Sequence, residues 1–398
     1  MKILVISHLF PSPLNDISGI FVHEQIKALM SRDVDVRVIS PVPLAPFPIN
    51  RMDCKWRDYS RIPQNCVVDG VQTYYPRYVS FPRAWFLATS GHRMYRGIRG
   101  PAKWMHSEFP FDLIHAHVAL PDGYAGLLLA RELGKPLVVT IHGEDVYINA
   151  RKDGGCRAAV KQVVRTADRV IFVSNRIKQV LESELCSTFE NAISIHNGVS
   201  ATKVYGGSAA RTDTAKIIII ITVGYLIERK GHRYVLESMK QLVQKHPQLR
   251  YLIVGSGPMR SNLEALAEKM GLKKYVNFLG NVPSEELPRL LGLSDIFVLP
   301  SWNEAFGIAY LEAMANGKPV IGCYGEGVEE FVTHGKTGLL VPPRDVGSLV
   351  QALDTLLSHR EEAKAMGERA RMVVQENFTW KRNAEKTLEV YRDVLNDH

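Results

Sequence analysis

Two carboxylates, Glu304 and Glu312, stand with seven residues between them in a stretch that runs from Ser301 to Gly317. The apolar run 296–299 predicts a buried strand ended by Pro300, and residues 306–316 predict a helix closed by Gly317. A strand, a loop and a helix form a crossover unit, whose ligand lies beyond the carboxyl end of the strand, where the first helix amides have no partner of their own. A carboxylate at Glu304, in that loop, can accept hydroxyl groups, and Glu312, about two turns into the helix, can reach a second set from the side. Spacing alone leaves another reading open, in which Glu304 caps the helix and Glu312 lies on a solvated face. The amides of Phe306, Gly307 and Ile308 open the helix and suit an anion.

Arg229 and Lys230 follow the apolar run 217–223 and precede Gly231. Cations at the start of a helix oppose its macrodipole, so a bound anion is the reason for them, and an arginine fork beside a lysine point charge suits a diphosphate without a metal. Gly255 and Gly257 form a glycine turn after residues 251–254 that can bring backbone close to a ligand. Pro258, Met259 and Arg260 supply no third glycine, which argues against a nicotinamide fingerprint.

His142 follows the run 137–141 and so stands at a strand's carboxyl end, in one polar loop with Gly143, Glu144 and Asp145. His115 and His117 alternate along one strand and face the same side. A third ligand at fixed spacing is missing, so an acceptor-side or packing role is expected rather than a metal site. Asp33-Val34-Asp35 has the letters of an acidic metal motif but lies at a strand start, the wrong edge of a sheet.

These residues need a scaffold, and apolar runs alternate with amphipathic stretches along the whole chain, the pattern of parallel α/β sheets. Strands are expected at residues 3–7, 34–39, 113–117, 137–141 and 170–173, and again at 217–223, 251–254, 276–279, 296–299 and 319–321. Residues 201–216, with Gly206-Gly207-Ser208, have the composition of a linker. Two similar α/β domains with a cleft between them follow. A last helix, residues 379–395, carries Trp380, Leu388, Tyr391 and Leu395 as an apolar stripe to bury.

At 398 residues, 46% hydrophobic and 23% charged, the chain has room for two globular domains and fits neither a fibrous nor a disordered class. No apolar stretch is long enough for a membrane span. Five scattered cysteines, Cys54, Cys66, Cys156, Cys186 and Cys323, fit neither a disulfide framework nor a zinc site, and small core residues in a cytoplasmic protein are expected. The net charge of +8 is uneven: no acidic residue lies between Asp69 and Glu108, where Arg77, Arg83, Arg93, Arg96, Arg99 and Lys103 alternate with Phe81, Trp85, Phe86, Tyr95 and Trp104. Residues 77–104 therefore suit an anionic membrane surface or a solvated helix. No nucleic-acid motif accompanies them, so nucleic acid is not an expected partner.

The stretch from Ser301 to Gly317, continued by Lys318-Pro319-Val320-Ile321, resembles the signature of glycosyltransferase family 4, retaining enzymes with the GT-B fold. Phe10-Pro11-Ser12-Pro13 with Ser18-Gly19-Ile20-Phe21-Val22-His23-Glu24 resembles the family's glycine loop and first helix. Thr140-Ile141-His142-Gly143-Glu144-Asp145, His196-Asn197-Gly198-Val199 and Gly224-Tyr225-Leu226-Ile227-Glu228-Arg229-Lys230-Gly231 resemble further family segments in the family's order.

The resemblance implies two Rossmann-like domains facing a central cleft. The N-terminal one (1–196 plus a returning helix, 379–398) is expected on the acceptor side, and 197–378 is expected to bind the nucleotide sugar. It further implies that Arg229 and Lys230 hold the diphosphate, that Glu304 grips the transferred sugar and Glu312 the ribose, and that His142 lies near the sugar. Gly19, Gly255, Gly257, Asn281, Val282, Ala305, Phe306, Gly307 and Ile308 would line the donor, and His117, Glu144 and Asp145 the acceptor side.

The implied activity is metal- and cofactor-independent, retaining transfer of a hexose-type sugar to a glycan or lipid-linked acceptor, with the leaving phosphate as base. A nucleotide-sugar 2-epimerase and a non-catalytic sugar-binding protein are the alternatives. Gly325-Glu326-Gly327-Val328-Glu329-Glu330 resembles bacterial members acting on cell-surface polysaccharides, pointing towards UDP-sugars and a lipid-linked acceptor, and a membrane contact through 77–104 would place the protein on the inner face of the plasma membrane. Ala305 departs from the Gly or Pro of many members, which bears on sugar choice.

Overall fold

The computed structural model describes residues 1–45, 47–52, 54–200 and 217–398; the glycine-rich stretch expected as a linker, 201–216, lies outside the described residues. The chain divides into two compact units, Met1–His196 with Trp380–His398, and Asn197–Thr379.

The first unit is built on an eight-stranded sheet. In spatial order its strands are Ala192–Ser194, Arg169–Phe172, Leu137–Ile141, Leu113–His117, Lys2–Ile6, Asp35–Ile39, Val71–Tyr74 and Asn65–Val68. All neighbours are parallel except the last pair. Apart from the half-buried Lys2, the three central strands are buried throughout, as expected where crossover helices cover both faces. The antiparallel pair, not expected from the sequence, is a hairpin turned by Asp69 and Gly70, both at positive φ (45° and 85°). An Asp-Gly pair between strands is the chemistry of such a turn.

Helix Trp380–Asn396 belongs to this first unit. Ala384, Leu388, Tyr391 and Val394 share a core with Ile3, Val5, Val22 and Ile26. Gln25 Nε2 donates to Asn383 Oδ1 at 2.7 Å, pinning the helix on helix Ile20–Met30 in register.

The second unit carries six parallel strands, in the order Val276–Gly280, Leu249–Val254, Ile218–Val223, Ile296–Val298, Val320–Cys323 and Gly338–Val341. The last of these was not expected; four residues after Gly335 give little periodicity to read. Helices His232–Lys245 and Val346–Ser358 bury Val235, Leu236, Leu349 and Leu353 against the sheet.

Two details correct the sequence reading. Cys54 and Cys186 are exposed rather than core residues, and all five cysteines are free. Arg99 and Lys103 are not unopposed: Glu132, on the neighbouring helix Tyr124–Leu133, pairs with both at 2.5 Å and accepts from the Tyr95 hydroxyl at 2.6 Å. No described helix is long and apolar enough to cross a membrane.

Candidate functional site

In the second unit the chemistry gathers where strands Ile218–Val223 and Ile296–Val298 end. Glu228–Lys230 forms a single 3₁₀ turn, Gly231 takes φ 74°, and helix His232–Lys245 begins. A Cβ on Gly231 would stand 2.3 Å from the Pro300 carbonyl oxygen, so this turn and the loop after Ile296–Val298 press backbone on backbone there. Trp302 N–H donates to the Arg229 carbonyl at 2.9 Å, and Arg229 Nη1 donates to the Asn303 carbonyl at 3.1 Å.

Through that apposition Lys230 Nζ reaches Glu304 Oε2 at 2.5 Å, both side chains largely buried. Ser301 Oγ donates to the same oxygen at 3.0 Å and lies 3.2 Å from the Tyr310 hydroxyl. Burial alone would raise the Glu304 carboxyl; the positive charges of Lys230 and Arg229 and the two hydrogen bonds outweigh it and hold the group below the usual carboxylate value. Glu304 is therefore an anion held in a fixed position.

The loop carrying Glu304 is fixed from behind. Glu304 N–H donates to Glu326 Oε2 at 2.8 Å, and Gly327 N–H donates to the Glu304 carbonyl at 3.0 Å. A Cβ on Gly327 would fall 2.2 Å from the Ala305 oxygen, so the residue must be glycine for the two loops to meet. Ser301, Tyr310 and Glu326 are site residues that the sequence reading missed. The carboxyl-end rule that found Glu304 would also have found Glu326, which follows strand Val320–Cys323 in the same way.

Glu312 lies in helix Ile308–Ala315 and is buried, which removes the solvated-face reading. The helix is shorter than expected: Gly307, at φ 94°, caps it, and Phe306 precedes it with its ring in the core against Phe331 and Phe378. Its side chain is thus structural, and only its backbone faces the loop. Gly255 and Gly257 also have a reason within the chain. Cβ atoms there would stand 2.0 Å from the Gly224 oxygen and 2.5 Å from the Leu226 oxygen, so the close approach is to the chain's own backbone. Asn281 and Val282 follow strand Val276–Gly280, at the carboxyl end of the same sheet.

The first unit places its candidates differently. His142 Nε2 lies 2.9 Å from His117 Nδ1, the rings stacked at 17°, and Phe21 covers His142. His115 bonds through both nitrogens, to the Tyr391 hydroxyl at 2.6 Å and to Thr140 Oγ1 at 2.7 Å, which settles it as a packing residue tied to the returning helix. Burial pushes His115 and His142 down to about 3 and holds His117 well below its usual value, so the three rings are neutral. His117 is buried, with Nδ1 facing His142 and Nε2 without a hydrogen-bond partner among the described residues.

Asp145 is buried as well. Its carboxylate accepts from Ala119 N–H at 2.5 Å and His142 N–H at 3.2 Å, and burial, against those two bonds, lifts it to about 7. It orients the His142 backbone, while Glu144 beside it is exposed. Gly19, at φ 64°, opens helix Ile20–Met30, and a Cβ there would stand 2.1 Å from the Leu9 oxygen; the chain's own backbone already demands the glycine.

Residues 18–203 match the family described as Glycosyltransferase Family 4, and residues 211–373 match Glycosyl transferases group 1. The chain is 27% identical, over 99% of both chains, to TuaC of Bacillus subtilis, named as a teichuronic acid biosynthesis glycosyltransferase. It is 31% identical to D-inositol 3-phosphate glycosyltransferase of Corynebacterium jeikeium, over 71% of this chain and 73% of that one. Among solved structures, sucrose-phosphate synthase from Thermosynechococcus elongatus superposes with a TM-score of 0.83 at 24% identity over 100% of both chains. Anabaena HepE in complex with UDP and glucose gives 0.75 at 19% identity over 99% of this chain and 100% of that one. The chain belongs to glycosyltransferase family 4 and has the GT-B fold, and it is a glycosyltransferase.

Proposed function

We propose that the protein is a retaining glycosyltransferase that takes a hexose-type sugar from a UDP-sugar without a metal ion. The observation that carries this reading is the Lys230–Glu304 pair at 2.5 Å with Arg229 bonded to the same loop. Arg229 and Lys230 receive the diphosphate, Glu304 accepts a hydroxyl of the transferred sugar, and Glu312 accepts the ribose. Amides of Phe306, Gly307 and Ile308 add donors to the phosphate, and Asn281 and Val282 lie beside the base. Gly19 and His142 serve the donor from the first unit, with Glu144 and Asp145 on the acceptor side.

In the transfer step the bond from the sugar's anomeric carbon to the phosphate oxygen breaks. The acceptor oxygen bonds to the same face, and its proton passes to the departing phosphate. Negative charge grows on the nucleotide, and fixed cations and amides stabilise it, which is the larger part of catalysis in sites of this kind. Glu304 and Glu312 hold opposite ends of the donor and do not act as a nucleophile and acid pair.

The relatives named above favour a nucleotide-sugar donor and a cell-surface acceptor: HepE is complexed with UDP and glucose, and TuaC is named for teichuronic acid biosynthesis. Exposed Phe86 and Trp104 favour contact with an anionic membrane from residues 77–104. Incubation with UDP-, GDP- and ADP-sugars in a chelator, with proton NMR of the product, tests the proposal. An α-linked product from an α-linked UDP-sugar supports it; a β-linked product, a metal requirement, or conversion of the sugar without any acceptor rejects it.

A further inference from the structure

The first unit contains a cavity of about 890 Å³ that none of the donor residues accounts for. Aromatic side chains make much of its wall, Trp56, Tyr59, Tyr78, Phe81 and Trp85 among them. His8 lines it too, one residue past the carboxyl-end strand Lys2–Ile6 and Ser7.

His8 is held with unusual completeness. Its backbone N–H donates to Asp122 Oδ1 at 2.7 Å, and its ring Nδ1 pairs with Asp122 Oδ2, the carboxylate itself having no exposed surface. The imidazole is 30% exposed. With Nδ1 committed to Asp122, Nε2 is the ring atom left for a ligand, and an orienting carboxylate behind a histidine fixes both its tautomer and its direction. Burial alone would lower the histidine's pKa, but the charges of Asp122, Glu144 and Asp145 more than reverse that and favour the form in which Nε2 donates.

The remaining charges decide what kind of ligand fits. Two cations line the cavity as well, but the Lys55 ammonium sits over the Tyr59 ring, 5.8 Å from its centroid, and the donors of Arg93 are already bonded to the Val79 carbonyl at 3.0 Å, Thr89 Oγ1 at 2.6 Å and the Phe86 carbonyl at 3.0 Å. Glu144 on the same wall would repel an anion. A purely apolar chain is a poor match as well, because Ser40, Ser80 and Asn149 interrupt the aromatic surface. Flat apolar faces with a few fixed polar groups between them suit a neutral ring that is apolar on its faces and hydroxylated at its edge.

We propose that this cavity binds a neutral pyranose of the acceptor, stacked on Trp56 and Trp85, with His8 as its oriented hydrogen-bond donor and Asp122 as the residue that positions His8. The inference rests on the glycosyltransferase reading for the word acceptor, yet its test does not depend on turnover.

Trp56 and Trp85 allow binding to be read by tryptophan fluorescence. The full-length chain is titrated with methyl glycosides of glucose, galactose, mannose and N-acetylglucosamine, with decanol as an apolar probe, and UDP affinity is measured separately by calorimetry. At least one glycoside is expected to give saturable quenching, weakened tenfold or more in His8→Ala and in Trp85→Ala, and less in Asp122→Asn. His8→Gln, which keeps a donor, is expected to retain part of the affinity. UDP affinity unchanged in every variant shows that loss of quenching is not unfolding. Absence of quenching by all four glycosides, equal quenching in His8→Ala, or quenching by decanol alone overturns the proposal. Failure of the wild-type chain to bind UDP while a glycoside still binds would instead reject the UDP-sugar reading and leave the cavity's assignment standing.

Discussion

The polar centres of the two units solve the problem of a buried charge in opposite ways. In the second unit Glu304 is kept ionised by Lys230 and Arg229, so the site carries full charges in a fixed arrangement. In the first, His115, His117 and His142 are stripped of charge by burial, and Asp145 is lifted to about 7. Charge is retained where Lys230 and Arg229 face Glu304, and removed where the rings and Asp145 are buried among one another. A perturbed ionisable group is therefore informative only with its cause: opposite charge keeps Glu304 ionised, whereas desolvation neutralises the histidines of the first unit.

The strongest way to break this contrast is to neutralise the charged centre. Lys230→Ala and Glu304→Ala are each expected to lower turnover by ~10²–10³, the cost of losing one preorganised electrostatic contact. Near-normal turnover in either variant, measured with saturating donor, would remove that residue from the site.

Next comes the support beneath it. Glu326→Ala leaves the Glu304 amide without its acceptor, and loss of a hydrogen bond to a charged group, roughly 1.5–3 kcal/mol, corresponds to about a tenfold to hundredfold fall in kcat. Glu326→Gln keeps an acceptor oxygen and should recover most of the activity. Equal loss in both variants would show that Glu326 acts by its charge and not by holding the loop.

The neutral centre is probed by acid. His115 is driven to about 3 by burial, so its folded value lies below its unfolded value near 6.5. Its contribution to stability is complete above about 6.5 and falls as the pH drops toward 3, by about 1.4 kcal/mol per pH unit. His117 and His142 add slopes of the same sign, so urea unfolding between pH 6.5 and pH 5 should show their sum, and His115→Asn should reduce it by one histidine's share, about 1.4 kcal/mol per pH unit. A slope unaltered by the substitution would mean that the ring is not kept neutral. The smallest effect is expected at Tyr391→Phe, which deletes the hydroxyl on His115 and should cost about 1 kcal/mol in the same measurement, with turnover unaffected.

The charged centre was far more legible in the sequence than the neutral one. Glu304, Arg229 and Lys230 lie next to strands with strong apolar runs, so the carboxyl-end rule located each of them, and their opposite signs pair in the structure. What the sequence could not give was the pairing of Lys230 with Glu304 across 74 positions, which exists only because Gly231 lets one turn press on Pro300. His115 and His117 looked alike as alternating residues on one strand. Only packing separates them, since one meets Tyr391 from the returning helix and the other meets His142. The hairpin at Asp69 and Gly70 was readable from its turn, but the basic and aromatic residues after it drew the reading towards a surface role. The glycines at 19, 255 and 257 were read as letting a ligand approach, and what a Cβ at each would meet is the chain's own backbone.

Helix Trp380–Asn396 completes the first unit's core, whereas the second unit is one uninterrupted stretch, Asn197–Thr379. Topologically the second unit is an insertion within the first. On the ribosome, residues 197–379 emerge in full before the helix that buries Ile3, Val5 and Ile26 has been made. The part of the chain synthesised first is thus the part that finishes folding last, and its unclosed apolar face has to be shielded for the whole time needed to translate the insert.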